Sequence, residues 1–451
     1  MNSIIKNYIQ RHPRSARLAE QGSTLIPGGV THDVRYLLPF APFIDRSSGP
    51  LKWDVDNNEY FDFVLGHGAL ILGHGNALVE KSLFNALGRG THFGGEVENV
   101  IAWAKLVKDL IPSAEKVKFT SSGTEATMLA LRLARAFTGK EKFVMFCLHF
   151  HGWHDHVAVM GGGIPDCINS GRVILPPNKL DLLEKVLSKG DIAAVILEPT
   201  GAAYGAFRLN SEFNASLREL TSRFGVLLIY DEIVTGFRLC PSGAQGLQGI
   251  KPDLTTLAKC LGGGLPAGAV VGRSEVMDLL SFGHDRAWNI NERVYHPGTF
   301  NANPLSAAAG VAALKLLSNG ELQYKAAEAS KRLCRGLNRI FDQLNIAGCA
   351  YGDPSIFHLL LGVECPDIHE CDRLNCTLSA DAFTKLPFTN AYGFLDLKRA
   401  STIKISLLNK GLDLMGCRSG FLSSTHTDRE IEKALEAFEE AFTELKREKI
   451  L

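Results

Sequence analysis

An excess of charge of either sign is missing from this chain: 48 Lys and Arg residues balance 48 Asp and Glu residues. A dedicated nucleic-acid binder shows a basic excess or a basic face, so that class is set aside. A small anion held by a few residues is still permitted. Long hydrophobic runs are missing too. The longest purely apolar stretches, such as Ile192 to Leu197, cover about six residues, where a membrane-spanning helix needs about 20. The opening stretch MNSIIKNYIQRHPRSARLAEQG lacks the apolar core of a signal peptide. The 10 cysteines include no CxxC, and Cys365, Cys371 and Cys376 lack zinc-ligand spacing. They read as free thiols of a soluble cytoplasmic protein with no membrane partner. Internal repeats and low-complexity tracts are also absent. Neither GxxxxGK[ST] nor GxGxxG occurs, so a nucleotide is not the first choice of ligand.

Hydrophobic residues make up 45% and charged residues 21%, which is close to the globular norm and excludes disorder. Glycine is the surplus, with 44 of 451 residues, about a tenth against a typical value of about 7%. Residues 1–24 read as a helical lead-in, and Trp53 to Phe63 as a β-hairpin around Asp56-Asn57-Asn58. Farther on, helical stretches (77–88, 97–110, 124–138, 179–189, 212–224) alternate with short apolar runs. The runs are Val117–Phe119, Phe143–Phe146, Ile192–Leu197, Val226–Tyr230 and Ala269–Val271. This alternation predicts an α/β fold with a mainly parallel sheet covered on both faces. A helix is expected over 321–345 and another near 428–447, with Ile431, Leu435, Phe438 and Phe442 as its apolar stripe. The expected organisation is an N-terminal segment 1–59, a large domain 60–315 and a C-terminal part 316–451. Both chain ends join in the smaller domain.

Ligands of open α/β sheets bind at the carboxyl ends of strands, so the residues after each run matter most. Thr120-Ser121-Ser122-Gly123-Thr124-Glu125-Ala126 follows the first run and opens a helix. Free N–H groups, the helix dipole and the Ser122 and Thr124 hydroxyls suit an anion there. The same residues also read as an ordinary helix cap. Asp231-Glu232 closes the run Val226–Tyr230; a carboxylate there needs a partner, either a structural bond or a buried cation. Lys259 precedes Gly262-Gly263-Gly264. An amine among apolar groups has a lowered pKa, which suits a Schiff-base nucleophile, although a lone lysine is more often solvated. Phe150-His151-Gly152 offers a flat ring at a strand end. His149, His151, His154 and His156 cluster nearby, but no carboxylate or thiol completes a metal-binding spacing, and no metal is expected.

In this order, the pieces resemble the class III aminotransferases, enzymes of fold type I that use pyridoxal 5′-phosphate. The likeness is strongest to the branch of glutamate-1-semialdehyde aminomutase and the D-phenylglycine-type aminotransferases, and runs from about residue 20 to 445. It rests on Ser122-Gly123-Thr124-Glu125-Ala126, Phe150-His151-Gly152, Glu198-Pro199, Asp231-Glu232-Ile233, Lys259 before its glycines, and Pro297-Gly298-Thr299-Phe300-Asn301. The resemblance implies a large domain with a seven-stranded sheet and a smaller α+β domain. It implies Lys259 as the Schiff-base lysine and proton shuttle, and Asp231 as partner of the pyridine nitrogen. Ser122, Gly123 and Thr124 would bind the phosphate, and Thr299 would reach the phosphate of a second subunit in a homodimer with shared sites. Phe150 and Ile233 would flank the ring, with His151 and Glu198 beside it. Arg35, in Gly28-Gly29-Val30-Thr31-His32-Asp33-Val34-Arg35, would grip a substrate carboxylate.

Three features depart from the mutase pattern. The segment from Gly152 to Arg172 is short, Ala203 stands where the mutase has asparagine, and Arg418 stands at or near a mutase glutamate. The expected activity is therefore amino transfer between a carboxylate-bearing amino acid and a keto or aldehyde acceptor, with Arg418 a second candidate for substrate contact. The alternatives are the intramolecular aminomutase reaction and another reaction of the same cofactor, such as racemisation.

Overall fold

The computed structural model describes residues 2–209, 212–361 and 397–451. Cys365, Cys371 and Cys376 lie outside the described residues. The chain divides into two compact units, residues 1–76 with 322–451, and residues 77–321. In chain order the strands are β1 (Ile44–Ser48), β2 (Leu51–Asp54), β3 (Glu59–Asp62), β4 (Lys116–Thr120), β5 (Lys142–Phe146), β6 (Arg172–Leu175), β7 (Ile192–Leu197) and β8 (Phe207–Arg208). Then follow β9 (Leu227–Asp231), β10 (Leu254–Ala258), β11 (Gly268–Gly272), β12 (Gly348–Tyr351), β13 (Ile356–Leu361), β14 (Leu412–Asp413) and β15 (Ser419–Phe421). No helix among the described residues is long and apolar enough to cross a membrane.

The second unit is built on a seven-stranded sheet in the order β4-β11-β10-β9-β7-β5-β6. Only β11 runs antiparallel to its neighbours. Side chains alternate across a strand, and here both sets are buried. Phe143, Met145, Ala194, Ile196, Leu227 and Ile229 join one apolar cluster with the helix Gly123–Thr138. Val144, Phe146, Val195, Leu197, Leu228 and Tyr230 join the other, with Leu183, Leu187, Phe213 and Leu217. That double burial is why these strands read as unbroken apolar runs. The five helical stretches predicted before residue 225 form helices Ala77–Leu87, Glu98–Leu110, Gly123–Thr138, Leu180–Leu187 and Phe213–Arg223. β10 was not among the apolar runs, because Thr255 and Thr256 interrupt it. It is buried nonetheless, since Thr255 Oγ1 lies 2.8 Å from Ser113 Oγ and Thr256 Oγ1 donates to Asp231 Oδ1 at 3.2 Å.

The first unit holds the sheets β1-β2-β3-β14 and β12-β13-β15. The domain boundary read at residue 60 differs from the observed division after residue 76. β3 pairs in parallel with β14, Phe421 N donates to Phe63 O at 2.8 Å, and Ser424 N donates to Ile71 O at 2.9 Å. These bonds tie residues 60–76 to the C-terminal part. The second boundary lies at 321, because the helix Pro304–Leu317 runs past 315 with Ala313, Leu314 and Leu317 buried. The last helix, Asp428–Arg447, buries Ile431, Phe438 and Phe442, and Leu435 presses on Gly336.

At the centre of the first unit Lys52 Nζ lies 2.9 Å from Asp62 Oδ1 and 2.5 Å from Asp413 Oδ2, all three side chains being buried. Lys404 also pairs with Asp413, and His74 Nε2 lies 2.6 Å from Asp62 Oδ2. Removing one partner of a buried ion pair leaves an uncompensated charge. Lys52→Ala is therefore expected to lower the unfolding free energy by about 3–5 kcal/mol in a urea titration, a size typical of a broken buried pair.

Candidate active site

Six of the seven strands run the same way, so β4, β5, β7, β9 and β10 all end on one edge of the sheet, where β11 begins. The residues singled out in the second unit follow those ends. After β4, Ser122 caps the helix Gly123–Thr138, its Oγ accepting from Glu125 N at 3.2 Å, while Glu125 Oε2 accepts from Ser121 N at 2.7 Å. The cap reading is thus realised, and it fixes the first turn. Gly123 and Thr124 lie in that turn, where N–H groups have no acceptor within the helix.

Clearance around this turn depends on glycine. A Cβ on Gly123 would stand 2.7 Å from Ile233 Cδ1, one on Gly152 would stand 2.7 Å from Thr124 Oγ1, and one on Gly268 would stand 2.2 Å from Ser122 O. Ser121 Oγ lies 3.4 Å from Asn301 Oδ1, which brings the segment 297–301 to the helix start. Thr299 is exposed there.

At the end of β9, Asp231 is buried. Its Oδ2 pairs with His151 Nδ1 at 2.6 Å, and its Oδ1 accepts from Ile233 N and Thr256 Oγ1, both at 3.2 Å. Thr127 Oγ1 donates to His151 O at 2.6 Å. Thr127 and Thr256 were not anticipated. The first lies on the buried face of its helix, and the second stands opposite Asp231 in the β10–β9 register, so only the strand pairing reveals it. Glu232 plays a different part. Its buried carboxylate accepts from Ala244 N at 2.6 Å, Gln245 N at 3.0 Å and Thr235 Oγ1 at 2.9 Å, which is structural work.

After β7, Glu198 accepts from Phe150 N at 2.8 Å, Tyr204 N at 2.8 Å and Ala203 N at 3.2 Å. In return, Glu198 N donates to His149 Nδ1 at 2.9 Å. Burial pushes the Glu198 carboxyl up to about 7, with the Asp231 charge adding to the rise, while His151 and the N–H groups of Phe150 and Tyr204 oppose it. Lys259 follows β10 with φ of +47°. Burial lowers its amine below the ordinary lysine value, against the opposing pull of Asp231 and Glu198. Phe150 presents an exposed ring beside this cluster.

His154 Nε2 lies 3.3 Å from Thr127 Oγ1, and burial lowers its imidazole to about 4. Burial also lowers His156 and holds His149 well below the usual imidazole value. Among the described residues no three His, Cys, Asp or Glu side chains converge as metal ligands.

Arg35 and Arg418 belong to the first unit. Arg35 is exposed, and its Nη1 donates to Thr31 Oγ1 at 2.6 Å. Arg418 is part-buried, and its carbonyl accepts from Leu359 N at 2.6 Å.

The family pattern Aminotransferase class-III matches residues 34–162 and 176–350. The chain belongs to the class III aminotransferases and is an enzyme. It is 36% identical over 453 residues to the glutamate-1-semialdehyde 2,1-aminomutase of Persephonella marina, covering 96% of this chain and 99% of that protein. Other curated relatives, at 34–39% identity, carry the same name. Among solved structures, an omega-transaminase from Sphaerobacter thermophilus superimposes with a TM-score of 0.84 at 29% identity, covering 96% of this chain and 98% of that one. A transaminase with pyridoxal 5′-phosphate bound superimposes with 0.83 at 26% identity, covering 97% and 98%.

The residues present fit that cofactor. The glycine-lined helix start leaves room and N–H groups for a phosphate, Asp231 is a buried carboxylate aligned by three donors, and Lys259 is an amine of lowered basicity beside it. Glu198 supplies a test. A carboxyl raised in the fold stabilises it below its ordinary value of 4.5, and that contribution is lost as pH rises through about 7. Glu198→Gln keeps an acceptor and removes the ionisation. Across that window, the unfolding free energy of wild type is expected to fall relative to the variant by at most about 1.4 kcal/mol per pH unit. Paired denaturant titrations at successive pH values measure it, and parallel curves would show that Glu198 does not titrate there.

Proposed function

We propose that this chain is a pyridoxal 5′-phosphate enzyme that carries out the 2,1-amino exchange on glutamate 1-semialdehyde. One observation carries the choice of reaction: the curated relatives, matched over most of their length, bear the aminomutase name. They back this alternative better than the intermolecular transaminase expected from the sequence. That second reading keeps two supports, the omega-transaminase likeness and the replacement of mutase residues by Ala203 and Arg418.

Bound cofactor supplies an aldehyde that exchanges amines and a ring that accepts carbanion charge. This chain's own residues do the rest. Lys259 Nζ is the attachment point. Burial lowers its basicity, which favours the free amine that can take a proton from one carbon and return it to another. Asp231, held by His151, Thr256 and Ile233 N, is the carboxylate that would face a protonated ring nitrogen. Ser122, Gly123 and Thr124 hold the phosphate, with Thr299 reaching that of a second subunit. Phe150 and Ile233 confine the ring. Arg35 takes the substrate carboxylate by a two-pronged bond, and Arg418 is a second candidate for substrate contact.

The dimer implied by Thr299 is supported by apolar side chains left open on the second unit, such as Phe84, 72% exposed, and Ile101, 74% exposed. Such side chains gain stability when a second subunit covers them.

Incubation of the pure protein with glutamate 1-semialdehyde and no second substrate separates the two readings. The mutase reading expects 5-amino-4-oxopentanoate as product; turnover only after a separate amino donor and acceptor are added supports the transaminase. Lys259→Ala is expected to abolish either activity. A wild-type protein that neither carries nor responds to pyridoxal 5′-phosphate contradicts both. Arg35→Ala is expected to raise KM for carboxylate-bearing substrates at least tenfold, as loss of a charge-assisted bidentate bond worth roughly 1.5–3 kcal/mol implies. Simple amines should be affected much less.

A further inference from the structure

The first unit contains a stacked pair of imidazoles that the proposed chemistry does not use. The rings of His32 and His67 lie 5.0 Å apart, centroid to centroid, and only 9° from parallel. His32 Nδ1 accepts from Val34 N at 3.2 Å and so caps the short helical turn Asp33–Arg35. Two further bonds close that turn, Arg35 N to His32 O at 2.9 Å and Tyr36 N to Asp33 O at 3.0 Å. The Arg35 side chain is steadied from the same segment by Thr31 Oγ1.

His67 is brought to this stack by a backbone that most sequences avoid. Leu65, Gly66, His67 and Gly68 all have positive φ, at 45°, 61°, 58° and 86°. Two of the four are not glycine, and such residues cost energy unless their surroundings hold them in place. Asp62 provides the hold. Its buried Oδ1 accepts from Val64 N at 2.9 Å and Leu65 N at 3.1 Å, and the same carboxylate is fixed by Lys52 and His74. A Cβ on Gly68 would stand 3.0 Å from Phe421 Cε1, so the Phe421 ring packs closely against this turn. A chain of contacts therefore runs from the buried Lys52–Asp62 pair through the left-handed turn to the His67 ring, then to His32, to its capped turn and to Arg35.

We propose that the stacked His32–His67 pair is a positioning device for Arg35, setting the guanidinium for a substrate carboxylate. The inference rests on the reading of Arg35 as the carboxylate-binding residue. His32 can cap the turn only in one ring orientation, and the flat face of His67 selects that orientation. Aromatic stacking is the property required at position 67, so another flat ring serves in its place while a methyl does not. Neither imidazole is required to touch substrate.

Pentanoate, an unreactive carboxylate, is the probe, titrated into the cofactor-loaded full-length protein and followed by ligand-observed NMR. Wild type is expected to bind it and Arg35→Ala to lose it. His67→Ala is expected to weaken binding roughly fivefold, within the range that aromatic pairs contribute, and His67→Phe to restore it to within about twofold. Thermal unfolding and cofactor absorbance recorded on the same samples are expected to match wild type for both His67 variants, which separates positioning from folding. Binding by His67→Ala equal to wild type, or His67→Phe no better than His67→Ala, overturns the proposal while leaving Arg35 in its role. Wild type that takes no pentanoate, or Arg35→Ala that takes it equally, overturns the Arg35 reading itself.

Discussion

A lysine amine taken out of water loses its proton unless charge is supplied around it, and the proposed site is arranged about that constraint. Burial lowers Lys259, while the carboxylates of Asp231 and Glu198 act in the opposite direction. The two acids are not equivalent. Asp231 is tied to an imidazole and two further donors, whereas Glu198 has three backbone N–H groups and is still pushed up to about 7. The amine therefore faces one carboxylate tied by three partners and one whose charge depends on pH near neutrality. The hydrogen bonds of Asp231 and Glu198 at the strand ends hold these two carboxylates in place.

Much of this was legible in the sequence, and for a definite reason. Strands buried on both faces are written as continuous apolar runs, so the parallel sheet and the places where it ends are visible in one dimension. Knowing where strands end locates the loops, and the residues that follow four of the runs are the ones brought together. What escaped detection was polar and internal. β10 lacked an apolar run because two threonines sit in it, and each satisfies its hydroxyl on a neighbouring element. Thr127 lies on an ordinary helical face. The domain limit after residue 76 was set by pairing between β3 and β14, about 350 residues apart in the chain, and no local pattern records a partner at that separation.

The glycine surplus finds a physical reason at the same edge. At Gly123, Gly152 and Gly268 a side chain would meet neighbouring atoms at under 3 Å, so the close approach of three loops depends on having none. Backbone strain collects there as well. Leu148, Ala203, Tyr204 and Lys259 follow β5, β7 and β10 with positive φ although none is glycine. Such conformations persist where surrounding bonds over-determine them, and functional loops are where they gather. No sequence pattern announces them, because leucine, alanine, tyrosine and lysine are ordinary residues.

Position 203 shows how strain bears on the choice between mutase and transaminase. Asparagine tolerates the left-handed conformation better than alanine does, so Ala203 keeps that geometry at a cost of about 1–3 kcal/mol. The offset is visible: with φ of 51° and 50°, Ala203 and Tyr204 both aim their N–H groups at Glu198. What the loop preserves is therefore the backbone cradle of the carboxyl, and what it gives up is a polar side chain. A 2,1-exchange must hold its substrate while the amino group leaves one carbon and returns to the next. With a methyl at 203, the proposed exchange would draw that grip from the carboxylate end, which is the part proposed for Arg35 and the turn that holds it.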